Sequence, residues 1–221
     1  MSSTIAPSPE TFQPKSLREE IVDIVQREII AGHFRPGQRL VERELIQRFG
    51  VSSIPIREAL QELENRGLVV RRHNCGCSVI QLTPHDAARI CELRRVLEPK
   101  VMEWAAERIS PDVAAAIRVQ LAQVEKAAAT GDWSGYFQED LKLHRMIWQV
   151  ADNGYATRAL ETVVGSLFAS GIIGSRDAAT IDLRVEVAKH RRLVDAICDA
   201  DGQRAALCLL EIAAGFEKHV G

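Results

Sequence analysis

Long hydrophobic runs, aromatic side chains and an excess of charge are all scarce in this sequence of 221 residues. No apolar run approaches the ~20 residues of a membrane-spanning helix, so we expect no membrane partner. Aromatic residues make up only 5% of the chain, whereas hydrophobic residues of all kinds make up 46%. Long stretches rich in Ala, Leu, Ile, Val, Glu and Arg favour helix. The net charge of −2 does not by itself indicate a nucleic-acid partner.

Cysteine is present, but not in the pattern of a disulfide-rich protein. The five cysteines are an odd number, and no secretion signal precedes them. Residues 1–14 are polar and rich in Pro and Ser, which predicts a disordered N-terminal arm. Reduced thiols in a cytoplasmic protein are therefore expected.

Residues 42–60 carry the most informative pattern in the chain. Two short segments with helical periodicity, each with one apolar face, meet at a turn around Gly50. Ser52 or Ser53 can cap the second segment, and Pro55 is tolerated in its first turn. This pattern is typical of a helix-turn-helix, whose second helix is free to enter a DNA groove.

The segments around this motif complete a winged helix. Residues 16–31 repeat apolar side chains at helical spacing, while residues 68–72 and 77–80 are β-rich and flank a glycine turn, which predicts a hairpin. The domain predicted over residues 15–81 holds 11 Lys and Arg against 9 Asp and Glu. Arginine suits phosphate and guanine because its planar fork bonds at two points at once.

Individual arginines in this domain have two interpretations. Arg57 is expected on the exposed face of the second helix, in the same outward region as Ser53, and Arg43 starts the preceding helix. Each arginine could contact DNA, or could form a surface salt bridge with a neighbour such as Glu42. Their position in a winged-helix pattern favours DNA contact.

Residues 82–221 contain no strand pattern, and short breaks divide them into six predicted helices. The expected fold class is therefore mainly α: an N-terminal winged helix-turn-helix with a small β-hairpin wing, followed by an all-α antiparallel helical bundle. The predicted helices span residues 84–109, 112–130, 133–151, 155–175, 182–200 and 202–218.

A candidate metal site lies in the predicted bundle. Asp140 and His144 are four residues apart, which puts them on one helix face, and His190 lies two helices later. Imidazole and carboxylate groups that converge in a bundle core can bind a divalent metal. The alternative is a helix-surface Asp–His pair, or a buried histidine with a single hydrogen bond.

Several motifs of the first domain also match a known family in register. They are Pro36-Gly37-Gln38-Arg39-Leu40, Glu42-Arg43-Glu44-Leu45, Gly50-Val51-Ser52, Pro55-Ile56-Arg57-Glu58-Ala59-Leu60, Leu63-Glu64 and Gly67-Leu68-Val69. On these residues, segment 17–81 resembles the winged-helix domain of the GntR transcriptional regulators. The resemblance implies that Arg43, Arg57 and the wing glycine Gly76 contact DNA. The family often has a further arginine where this chain has Ser53. Since this difference removes one base-reading side chain, the operator sequence cannot be inferred from those of relatives.

The second domain resembles the all-helical FCD effector domain of the FadR-type branch of that family. The supporting motifs are Glu92-Leu93-Arg94, Leu97-Glu98-Pro99, Ala105-Ala106-Glu107-Arg108, Asp140 with His144, Asn153, and His190-Arg191 with Ala196-Ile197. The resemblance implies an effector cavity, with Arg94 and Asn153 as effector-binding residues. Arg94 would pair with an effector carboxylate; the alternative is a surface arginine paired with Glu98, one turn on.

The same resemblance implies a divalent metal (zinc, nickel or manganese) at the floor of that cavity. Asp140, His144 and His190 match three ligand positions, whereas the fourth, usually a histidine, falls in register on Ile212, which cannot ligate. Water or effector oxygens would then fill the remaining positions. Some members of this branch lack the metal altogether.

These observations predict a transcriptional regulator, in the family's commoner mode a repressor, that binds a pseudo-palindromic DNA operator as a homodimer. A small carboxylate effector would act through its different affinities for two arrangements of the winged helices. The other hypotheses are a metal-dependent enzyme of small acids with an accessory winged helix, and a winged helix used only for protein contact. Against the enzyme, the sequence has no His-Glu-x-x-His or Gly-x-Ser-x-Gly motif.

Overall fold

The computed structural model of the protein describes residues 16–30, 33–72, 76–174 and 182–220, apart from the side chains of residues 72, 171–174 and 215–220. The arm predicted over residues 1–14 lies outside this range. The described elements, in chain order, are α1 Leu17–Ile30, β1 Arg39–Leu40, α2 Glu42–Phe49, α3 Ser53–Asn65, β2 Val69–Arg72, β3 Gly76–Val79, α4 Pro84–Arg108, α5 Pro111–Ala129, α6 Trp133–Val150, α7 Gly154–Gly174, α8 Leu183–Cys198 and α9 Gly202–Val220.

The N-terminal part of the chain, from Leu17 to Val79, forms a winged helix, as predicted. Helices α1 to α3 enclose an apolar core, and the antiparallel sheet has the strand order β1-β3-β2. In the wing, Val69 pairs with Val79 and Arg72 with Gly76. Gly50 ends α2 with a φ of 64°, and its N–H donates to the carbonyl of Ile46. This left-handed residue makes the tight turn between the two helices of the motif.

The second half is an all-α bundle of helices α4 to α9, which also confirms the prediction. Helix α4 packs mainly against α9, and α5 lies between α6 and α8. Thr83 begins α4 through a capping box with Asp86, and Pro84 occupies the first turn. None of the described helices is both long and apolar enough to cross a membrane.

Helix α7 belongs to both halves of the molecule. Its Phe168 is buried in the bundle core, and the next residue, Ala169, is buried in the core of the winged helix. Gly67, which follows α3 with a φ of 74°, approaches the α7 backbone closely. A Cβ at this position would lie 2.7 Å from the carbonyl carbon of Gly165 and from the nitrogen of Ser166. The winged helix therefore rests directly on the backbone of α7.

The substitution Gly67→Ala tests this contact, with Gly131→Ala as its matched control. Both glycines have a positive φ, 74° and 69°, so each alanine carries the cost of a left-handed backbone, about 1–2 kcal/mol. Only at Gly67 does the new methyl group meet neighbouring backbone, since no described atom lies within 4 Å of a Cβ at Gly131. We expect urea unfolding to show a larger loss of stability for Gly67→Ala. Equal losses would contradict the docking of the winged helix on α7.

Candidate metal centre and DNA-binding surface

Three side chains meet in the core of the bundle, where the family resemblance implied metal ligands and where the spacing alone left a helix-surface Asp–His pair open. Asp140 and His144 come from α6 and His190 from α8, and one ligand atom of each lies within 4.8 Å of the others. All three residues are at most 5% exposed. We call these residues the metal triad. Asp140 Oδ1 lies 2.8 Å from His190 Nε2 and 3.6 Å from His144 Nε2.

The facing atoms of the metal triad have no hydrogen bonds among the described residues. The 2.8 Å contact between Asp140 Oδ1 and His190 Nε2 is an ion pair when His190 is protonated. Buried polar atoms normally have partners, so three orphaned donor atoms around one point fit a divalent cation. Burial alone would raise the pKa of Asp140, but the combined effect of His190, His144 and Arg94 outweighs it and lowers that pKa. The carboxylate is therefore ionised, the form that binds metal.

The outward ring nitrogens of the two histidines are held by acceptors. His144 Nδ1 lies 2.8 Å from Glu98 Oε1, and His190 Nδ1 lies 2.8 Å from the carbonyl oxygen of Glu186. With Nδ1 as the donor in both contacts, each Nε2 presents its lone pair to the centre. The surroundings thus orient both rings as metal ligands.

Glu98 and Arg94 on α4 form a buried ion pair beside the metal triad. Glu98 is 0% exposed and Arg94 is 1% exposed, and Trp148 Nε1 donates a 3.1 Å hydrogen bond to Glu98 Oε1. Burial alone would raise the pKa of Glu98, but Arg94 and then His144 outweigh it and lower that pKa to about 2. Glu98 is therefore a fixed negative charge that neutralises Arg94 and orients His144.

Arg94 keeps one donor unused. Its Nε binds Glu98, whereas its buried Nη2 has no hydrogen-bond partner in the described part of the chain. The ring of Phe168 on α7 lies 5.6 Å from the guanidinium carbon of Arg94 and 5.5 Å from the ring of His144. The alternative of a surface arginine is therefore wrong, because Arg94 is buried; it does pair with Glu98, and it still has a donor without a partner.

Asn153 makes its described hydrogen bond away from this centre, and Ile212 offers no ligand atom to it. Asn153 precedes α7, and its Oδ1 accepts a 3.2 Å hydrogen bond from the Ala156 N–H, so it caps that helix. Phe168 follows 15 residues later, about 22 Å along the helix axis. Ile212 is 4% exposed within the bundle core, and no fourth His, Cys, Asp or Glu joins the metal triad among the described residues. The effector role of Asn153 remains a prediction.

The predicted DNA-contacting residues lie in and around the helix-turn-helix and the wing. Arg43 is exposed on α2, Ser53 is half-buried at the start of α3, and Gly76 is exposed at the start of β3 with a φ of 80°. Arg57 is 65% exposed, although its Nε lies 2.9 Å from Glu42 Oε2. An exposed ion pair of this kind is worth at most about 1 kcal/mol, so a phosphate or base can compete for Arg57.

Sequence reasoning missed two features of these sites. The guanidinium of Arg39 lies over the wing glycine, with its Nε 3.3 Å from where a Gly76 Cβ would stand. Glu98 is expected from the sequence only as a partner for Arg94, although it also orients His144. A signal was available, because Arg94 and Glu98 fall in helical register with the buried face of α4. The other buried residues of that face include Cys91, Val101, Met102 and Ala105.

Comparison with known proteins agrees with this architecture. Residues 17–79 match the bacterial regulatory proteins of the gntR family, and residues 89–214 match the FCD domain. The chain therefore belongs to the GntR family of transcriptional regulators, and its helical bundle is an FCD domain.

Individual relatives are similar over most of their length. An uncharacterized HTH-type transcriptional regulator of Bacillus subtilis, YdhC, is 29% identical over 78% of this chain and 77% of its own. The "Probable D-xylose utilization operon transcriptional repressor" of Paenarthrobacter nicotinovorans is 27% identical over 91% of this chain and 87% of its own. The structure of E. coli McbR/YncC superposes with a TM-score of 0.74 at 21% identity, over 91% of this chain and 95% of that one. This last likeness supports the fold.

The buried pair on α4 makes a stability prediction. Glu98→Gln keeps the shape of the side chain but leaves Arg94 as an uncompensated buried charge, which costs about 3–5 kcal/mol. Glu92→Gln, the control, removes the partner of Arg89 in a pair that is 65% and 54% exposed, and should cost under about 1 kcal/mol. Denaturant unfolding of the two variants measures the difference. A loss below about 1 kcal/mol for both would contradict the structural role of Glu98.

Proposed function

We propose that this regulator is a repressor whose operator affinity is controlled by a small carboxylate effector bound beside a divalent metal in the FCD domain. The orphaned donor atoms of the metal triad, with Arg94 Nη2 beside them, carry the proposal. Two imidazoles and one carboxylate suit zinc, nickel or manganese. Such a metal would offer open coordination positions to the effector carboxylate, while Arg94 would donate a charge-assisted hydrogen bond to it.

Exposed arginines support the DNA half of the proposal. Arg57 and Arg43 lie on the two helices of the motif, and the first of these is 65% exposed. A single recognition helix reads few base pairs, so we infer a homodimer that reads a pseudo-palindromic operator. The name of the Paenarthrobacter relative, a repressor, supports the direction of control.

Helix α7 supplies a physical route between the two sites. Phe168 contacts both Arg94 and His144, and the adjacent Ala169 is buried in the winged-helix core. A ligand that repositions Arg94 or His144 would therefore press on the helix against which the winged helix rests. The effector shifts DNA affinity only as far as it prefers one of the two domain arrangements.

A DNA-binding measurement tests the recognition helix. We expect Arg57→Ala to weaken binding to a genomic DNA fragment selected by the wild-type protein about tenfold or more, because a base-contacting arginine contributes about 1–3 kcal/mol. Fluorescence anisotropy at one fixed salt concentration measures this, since affinity for DNA depends steeply on salt.

The matched control for this test is Arg118→Ala. Arg118 is also exposed and ion-paired, with Asp195 at 2.7 Å, but lies on α5 of the bundle. It should bind the fragment like the wild type. Equal affinities for all three proteins would contradict the assignment of Arg57 as a reading residue.

Elemental analysis of the purified protein tests the metal triad. We expect about one divalent metal per chain, lost in His144→Ala and retained in His85→Ala, a control at an exposed histidine of α4. Circular dichroism of each variant checks that the helices are intact. The search for the effector would then begin with metal-chelating carboxylates such as citrate.

Other outcomes of the metal measurement separate the hypotheses. An absence of metal from the wild type would mean that three ligands do not suffice without a histidine at Ile212, and that Arg94 must recognise the effector with other side chains. Turnover of a small acid by the metal-loaded protein would favour the alternative, a metal-dependent enzyme with an accessory winged helix. The enzyme is disfavoured because the family matches are to regulators.

A further inference from the structure

A cavity lies between the two domains, and none of the metal triad residues lines it. It has a volume of about 430 Å³ and is lined by residues of α1 and α3 on the winged-helix side and of α6 and α7 on the bundle side. We call it the interdomain cleft. Its size falls within the range of small-molecule sites in proteins, and its walls carry charged side chains from both domains.

Arg145 is the unusual residue of the interdomain cleft. It follows His144 on α6 but lines the cleft, and its buried Nε has no hydrogen-bond partner among the described residues. Its charged neighbours are Glu161, Arg66 and Glu62, yet within the described chain neither carboxylate forms an ion pair with it. A partly buried cation without a bound partner is costly. An anion bound in the cleft would therefore stabilise the charged form of Arg145.

Arg66 brings a second guanidinium to the same cavity from the winged helix. Its Nε binds Glu62 Oε1 at 3.0 Å, and its Nη1 binds Gln26 Oε1 at 2.7 Å. These contacts fix the guanidinium in place and leave its Nη2 uncommitted in the described part of the chain. The two guanidinium charges face one cavity and repel each other. An anion bound between them would attract both and offset that repulsion.

The carboxylates of the cleft narrow the class of ligand. Glu62 and Glu161 line the cavity together with Arg66, Arg145 and Lys142, so the site offers acceptors as well as cationic donors. An anion that also carries hydroxyl groups can satisfy both, because a hydroxyl donates to a carboxylate while the anionic group accepts from guanidinium. Glu62 already accepts a hydrogen bond from Arg66, so Glu161 is the carboxylate to which a bare anion would offer no donor.

We propose that the interdomain cleft binds a small hydroxylated anion, a hydroxy acid or a phosphorylated polyol, between Arg145 and Arg66. The bound anion bridges the winged helix and the FCD domain and strengthens their contact. This site is separate from the metal triad and does not depend on the effector proposal.

Isothermal titration calorimetry of the full-length protein, stripped of metal and dialysed, tests the site at constant ionic strength. The probes are gluconate and glycerol 3-phosphate, with glycerol as the neutral control. We expect at least one anion to bind the wild type and glycerol not to bind. Gluconate alone would identify the ligand group as a carboxylate, and glycerol 3-phosphate alone would identify it as a phosphate.

Three variants locate the binding. Arg145→Gln and Arg66→Gln should each weaken the anion about tenfold or more, as expected for loss of a charged hydrogen-bond partner, and Arg145→Lys should weaken it less. Arg118→Gln removes the same charge from the surface of α5 and should bind like the wild type. Melting temperatures of all variants identify any that are unfolded, in which case Arg145→Lys decides.

Two results would overturn the proposal. The first is that neither anion binds the wild type at millimolar concentration. The second is that binding is unchanged in the folded Arg145 variants, which would assign the anion to another part of the protein. The titration uses protein without metal, so it does not depend on the effector site proposed at the metal triad. Failure of that proposal would therefore produce neither of these two results.

Discussion

The buried ion pair between Arg94 and Glu98 is the interaction on which the helical domain depends. Glu98 pairs with Arg94 on its own helix, and it contacts the imidazole of His144 and the indole N–H of Trp148 on α6. All of these groups are buried away from water. Removing the carboxylate would strand a guanidinium in the core and release the ring of His144. One side chain on α4 therefore sets both the packing of three polar groups and the orientation of His144, a candidate metal ligand.

Much of the fold could be predicted because its signals are local. Apolar side chains at helical spacing, the glycine turn at Gly50 and the cap at Thr83 each act within a few residues, so they identify helices and their ends. The approach of Asp140 and His144 follows from their spacing on one helix. Their convergence with His190 depends on how α6 and α8 pack, and only the family resemblance indicated it.

The remaining features depend on contacts between distant segments. From the sequence, Glu98 is identified only as a partner for Arg94, because its contact with His144 depends on how α4 packs against α6, although its register with the apolar residues of α4 marks it as buried. The docking of Gly67 on Gly165 joins residues almost a hundred positions apart, and neither glycine carries a side chain that would mark the contact. Arg145 likewise looks like an ordinary helical arginine in the sequence, because only the packing of the winged helix against the bundle places it in the interdomain cleft.

The two consecutive residues Phe168 and Ala169 lie in different hydrophobic cores, and this restricts the exchange of domains between relatives. A winged helix is often regarded as an interchangeable cassette that can be grafted onto any sensor domain. Here Gly67 of the winged helix packs directly on the backbone of α7, and Ala169 of the helical domain completes the winged-helix core. A graft between relatives would need to carry this stretch of α7 with it, so the inherited unit is larger than the DNA-binding domain.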